Sequence, residues 1–170
     1  AAGQSNIAST ATVEAVDLYM VDFGGGNAAS MGHRRWVLSN SLGPIGIGST
    51  DRYSCLLVIG GSGNAGAEWT AWPPPGTVPA EALAPASIWW TDADENGWSL
   101  QSDSIDLGAT DVVVSVTRDG AAVAVTQRPL LRNYGSRYAV GWTFDSVATV
   151  TPGHSYHVEV SGSFTTIAYD

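Results

Sequence analysis

Asp111-Val112-Val113-Val114-Ser115-Val116-Thr117, then Arg118-Asp119-Gly120, then Ala121-Ala122-Val123-Ala124-Val125-Thr126 is the stretch on which the fold turns. Two alternating runs flank an Asp-Gly pair that tolerates the positive φ angles of a tight hairpin turn. Outward from it, Gly97 to Gln101, Arg137 to Thr143, His154 to Ser161 and Phe164 to Tyr169 repeat the short alternating texture. Strands of this length and spacing predict an antiparallel sandwich of about 100 residues, of immunoglobulin or fibronectin type III-like kind.

Upstream the periodicity changes. Val13, Val16 and Met20 recur at helical spacing behind Thr12 as a cap, with Glu14 in the first turn. Gly24-Gly25-Gly26 ends that helix, and Asn27 opens a second through Met31, His33, Trp36 and Leu38. Ile45 to Gly48 and Tyr53 to Ile59 read as two strands. Gly60 to Gly66 supports no packed element and is the expected boundary. The expected division is therefore 1–66 and 67–170, with a Pro-rich linker at 69–79 containing Trp72-Pro73-Pro74-Pro75-Gly76.

The 170 residues carry a formal net charge of −9, with seven Arg and no Lys. That balance repels phosphate backbones and anionic headgroups, which speaks against nucleic-acid and membrane-surface partners. No apolar run is long enough for membrane insertion as a helix. The single cysteine, Cys55, sits in an apolar run and reads as a small buried hydrophobe. Alone it permits neither an internal disulfide nor a thiolate metal cage.

Met31-Gly32-His33-Arg34-Arg35-Trp36-Val37-Leu38, followed by Gly43-Pro44-Ile45-Gly46-Ile47-Gly48, resembles the bacterial branch of the CAP superfamily, or SCP-like domains. The shared pattern is G-H-R, an apolar pair, then I-G-x-G. Gln4-Ser5-Asn6-Ile7-Ala8 is similar to the family's G-E-N-I-A stretch, and Tyr19-Met20-Val21-Asp22 to its W-x-x-E stretch. Trp72-Pro73-Pro74-Pro75-Gly76 and Trp98-Ser99-Leu100 match a linker and strand associated with the same block in bacterial proteins.

The resemblance implies an α+β chain: a partial CAP α-β-α sandwich followed by an all-β immunoglobulin/fibronectin type III-like sandwich. It also implies a secreted or cell-surface protein, processed or truncated from a longer one, whose N-terminal CAP half is a missing segment or a separate chain. The family cleft holds two His and two acidic residues, with zinc in some members. His33 matches the second His and Asp22 the second acidic position, while Ser5 stands where the first Glu would be. The implied ligand cleft is Ser5, Asn6, Asp22 and His33, and zinc is not expected, because two ligands order a metal poorly.

Asp92-Ala93-Asp94-Glu95-Asn96-Gly97 with Asp103 reads D-x-D-x-N-G-x5-D. Asp92, Asp94, Asn96, the Trp98 carbonyl and Asp103 make a candidate calcium loop by ligand type and spacing. His154 and His157, three apart in a strand, point to opposite faces and cannot share a metal. Gly60-Gly61-Ser62-Gly63-Asn64 lacks the last Gly of a nucleophile elbow. Seven Trp invite glycan stacking at Trp89-Trp90, though Trp72, Trp98 and Trp142 read as packing residues.

The functional expectation is a secreted, non-enzymatic CAP-type module binding a small apolar ligand, a glycan or a protein partner. The alternatives are a metal-assisted hydrolase using His33 and Asp22, and a structural or adhesive surface domain.

Overall fold

A computed structural model describes residues 2–12, 14–60 and 63–170. Along the first part run β1 (Ser5–Ala8), α1 (Glu14–Val21), α2 (Gly25–Ala28), α3 (Gly32–Val37), β2 (Gly46–Ser49) and β3 (Ser54–Leu57). Then follow β4 (Thr70–Trp72), α4 (Ala80–Leu83), a 3-10 turn (Ala86–Ile88), β5 (Trp98–Ser102), β6 (Val113–Arg118) and β7 (Ala121–Val123). The chain closes with β8 (Val125–Pro129), β9 (Tyr138–Phe144), β10 (Tyr156–Gly162) and β11 (Phe164–Tyr169).

These strands form three antiparallel sheets, ordered β1-β3-β2, β4-β5-β9-β8 and β11-β10-β6-β7. The hairpin lies where the sequence puts it: Arg118 faces Ala121, with Asp119 at φ 51° and Gly120 at φ 81°. Beyond it the expected single strand Ala121 to Thr126 divides. β7 stays with β6, while β8 joins β9 in the other four-stranded sheet. The two four-stranded sheets share one core, with Val114, Val116, Val158, Val160 and Ile167 from one side meeting Leu100, Val140 and Trp142 from the other.

The fold class differs from expectation. The chain is mostly β, and the described residues form no α-β-α sandwich followed by an immunoglobulin-like domain. Among the described residues every helix is eight residues or shorter, because Asp22 at φ 54°, Gly24 at φ 92° and Met31 at φ 46° break the helical stretch in left-handed conformations. Helices this short cannot cover a sheet as full helical layers. The expected linker also contributes structure: Thr70–Trp72 is β4, paired with β5 through Thr70 opposite Gln101. Residues 61 and 62 of the expected boundary, and Val13 of the first helix, lie outside the described residues.

Cys55 is exposed, which corrects the expectation of burial. The alternation of β3 decides it: Ser54 and Leu56 point inward, Cys55 and Leu57 outward. No helix among the described residues is long and apolar enough to cross a membrane.

Two buried arginines tie the helical segment to the strands. Arg34 is fully buried and donates to the carbonyls of Met20 (2.6 Å), Val21 (3.0 Å) and Gly97 (2.8 Å). Arg35, 1% exposed, donates to the carbonyls of Ser30 (3.1 Å), Leu131 (2.6 Å) and Ser136 (3.1 Å). A planar guanidinium with five donors can serve several carbonyls at once. Burial pushes both down to about 10, still well above neutrality, so both stay charged at pH 7.

Candidate functional site

α3 carries His33 in its first turn, and the chain reversal at Asp22 brings that residue's carboxylate back to it. His33 Nδ1 and Asp22 Oδ1 are 2.8 Å apart, with the Asp22 side chain fully buried and His33 36% exposed. Asp22 Oδ2 accepts from the Arg34 backbone N–H at 3.3 Å, and the Asn96 amide donates to the Asp22 carbonyl. One face of the imidazole stacks on Tyr19, centroids 5.8 Å apart and planes within 19°. The Tyr19 hydroxyl donates to the Asn6 carbonyl at 3.1 Å, and the Asn6 amide donates to the His33 carbonyl at 2.9 Å. The ring is therefore fixed by a carboxylate at Nδ1, an aromatic face and a backbone tether.

With Nδ1 engaged by a carboxylate, the neutral ring keeps its proton there and leaves Nε2 bare. The hydrogen bond that His33 donates to Asp22 raises the His33 pKa, burial lowers it, and the charge of Asp22 raises it further, for a net rise. The stability from this pair is therefore fully present below the ordinary histidine pKa and is lost as pH rises through the raised folded value.

His33 borders a cleft of about 490 Å³ whose wall also includes Ser5, Asn6, Trp36, Val58 and Tyr134. Three of the four expected cleft residues, Ser5, Asn6 and His33, thus line one cavity. Asp22 does not line it and acts from behind His33. Trp36 and Tyr134 went unread as site residues. Trp36 stands in the same G-H-R-R-W block, whereas Tyr134 comes from a loop about a hundred positions away with no local signal.

The candidate calcium residues are placed apart. Asp92 Oδ1 accepts from the Asp94 N–H at 2.9 Å, and the Asp94 carboxylate takes the Thr149 N–H (2.9 Å) and hydroxyl. Asn96 is buried against Asp22. Trp98–Ser102 is a strand, and strands rise about 3.3 Å per residue. Asp103 is thereby carried to the far end of β5, where it accepts from the Arg137 N–H at 3.0 Å. Calcium bonds of about 2.3–2.6 Å cannot span that length, so these five groups do not close around one ion. Gly97 has another reason for its place: its φ is 80°, and it packs against the Trp142 carbonyl.

Among the described residues no three His, Cys, Asp or Glu side chains converge as a metal would require. His154 pairs with Asp119 and His157 with Asp170, each at 2.7 Å and each on the surface. No family model, curated protein or solved structure matches this chain.

Proposed function

We propose that this chain is a ligand-binding module whose cleft at His33 takes a small ligand with an apolar body and one polar or acidic end. The observation that carries the reading is the buried Asp22 carboxylate holding His33 at the wall of a cleft of about 490 Å³. Small-molecule pockets run to roughly 300–1,000 Å³ with a few placed polar groups on an apolar lining. Trp36, Val58 and Ile59 offer apolar surface, and His33, Asn27, Ser30 and Asn133 offer polar contacts. Of the expected partner classes, the size suits a small ligand better than a glycan chain or a protein. The segments Gln4 to Ala8, Tyr19 to Asp22 and Met31 to Leu38 support reading it as a secreted or cell-surface protein of CAP type. That relationship is proposed on motifs, not on fold.

The Asp22–His33 pair favours a second reading, a hydrolase with His33 as general base, since a buried carboxylate orienting an imidazole is the support such a base needs. Two-dimensional NMR with decanoate and decanol separates the two. Saturable shifts at the amides of Ser5 and His33 and at the Trp36 indole are expected, with decanoate binding weakened about tenfold in His33→Gln. Gln keeps a donor for Asp22. Shifts scattered over the surface, or unchanged affinity in His33→Gln, would remove the binding reading. Turnover of p-nitrophenyl decanoate lost in the same variant would establish the hydrolase.

A further inference from the structure

Trp is highly buried on average, yet Trp89 is 84% exposed and Trp90 52% exposed. Trp72, Trp98 and Trp142 behave as packing residues, so the exposure is specific to this pair. The two indoles stand edge to face, centroids 6.0 Å apart and planes at 89°. They form two perpendicular walls of a hollow whose rim carries Thr91, Asp92 and Glu95.

The platform beneath is well tied. Ile88, just before the pair, is 1% exposed, and the Ser87 hydroxyl donates to Asp17 at 2.6 Å. The Ala93 N–H donates to the Leu83 carbonyl at 2.8 Å. Holding two large apolar rings in water on a rigid base costs hydrophobic free energy, which a ligand covering them would recover.

The rim chemistry selects the ligand class. Glu95 already accepts on both oxygens, from the Gly24 N–H at 2.8 Å and from the Thr91 hydroxyl at 2.6 Å. Asp92 accepts from the Asp94 N–H on one oxygen. Three of the four rim carboxylate oxygens are thus committed to the protein. They retain negative charge, with part of their acceptor capacity already taken up by the protein. A sugar brings no charge to meet the two carboxylates, and a lysine ammonium must give up strong hydration of its three N–H donors to sit against the rings. A quaternary ammonium has no N–H to satisfy and needs only aromatic faces and negative charge. The net charge of −9 adds to the attraction.

We propose that Trp89 and Trp90, with Asp92 and Glu95 at their rim, form a binding site for a small quaternary ammonium cation. The site is separate from the His33 cleft and does not depend on its reading. The test is NMR titration of the whole chain with choline chloride at constant ionic strength, following the indole N–H signals. Comparison ligands are 3,3-dimethylbutan-1-ol, which is choline's neutral isostere, methyl β-glucoside and N-acetyl-lysine amide.

Saturable choline shifts at the Trp89 and Trp90 indoles are expected, with the isostere about tenfold weaker. Trp89→Ala should weaken choline about fivefold, and the double change with Trp90→Ala should abolish it. Asp92→Asn, which keeps the oxygen that receives the Asp94 N–H, should weaken it about threefold. Because both rings are exposed, unchanged melting temperatures in these variants will show that the fold persists. Equal binding of choline and its isostere, tighter binding of the glucoside or the lysine amide, or no saturable shift at tens of millimolar choline would each overturn the proposal.

Discussion

Arg34→Met is expected to cost about 3–5 kcal/mol of stability, lowering the melting temperature by roughly 10 °C. Met fills much of the volume but donates nothing. The carbonyls of Met20, Val21 and Gly97 would each lose a donor in a place water does not reach, and the buried Asp22 carboxylate would lose a neighbouring positive charge. Arg34→Lys should recover little, since an ammonium cannot reproduce the planar fork across these acceptors. Arg132 provides the comparison. It is half exposed and pairs with a half-exposed Asp106, so Arg132→Met should stay within about 0.5 kcal/mol. Chemical denaturation of the three variants measures this directly, and equal losses at positions 34 and 132 would contradict the buried tie.

Gly97→Ala should be comparably damaging, at about 3–5 kcal/mol. The residue sits at φ 80°, and an added Cβ would fall inside the contact distance of the Trp142 carbonyl, with the Thr143 methyl at 3.0 Å. The obstacle is backbone of the central strand β9, which cannot rotate aside. Gly120 separates strain from clash: its φ is 81°, but a Cβ there meets nothing within 4 Å. Gly120→Ala should therefore cost only the left-handed penalty of about 1 kcal/mol. Similar losses at the two glycines would mean that the packing against Trp142 is not what requires Gly97.

What was legible in the sequence was local. The Arg118-Asp119-Gly120 turn and the alternation beside it needed only neighbours in the chain, and their hairpin is where expected. The split of Ala121 to Thr126 between two sheets was invisible, because both halves alternate alike and only the opposing core decides which sheet each joins. The calcium reading carried its own conflict. Gly97 to Gln101 alternates as a strand does, and an extended strand cannot also form the middle of a loop that wraps an ion.

At the candidate site, the G-H-R-R-W block located His33 correctly beside Asp22, since the two are eleven residues apart on adjoining short elements. It did not disclose what its arginines do. Their acceptors include Gly97, Leu131 and Ser136, up to a hundred positions away, and carbonyls leave no trace in residue type. The exposure of Trp89 and Trp90 was equally unreadable, as composition does not distinguish a packing Trp from a solvent-facing one.

Asp22 holds His33 at the wall of the cleft, with the proton of the neutral ring on Nδ1. Nitrogen-detected NMR of the His33 imidazole across pH, in the native chain and in Asp22→Asn, tests it most directly. The expected native result is a pKa above the ordinary histidine value of about 6.5, with the neutral ring protonated at Nδ1. In Asp22→Asn both raising influences lose the carboxylate charge and burial remains, so the pKa should fall below that value. An unshifted native His33, a neutral ring protonated at Nε2, or the same titration in both proteins would contradict it.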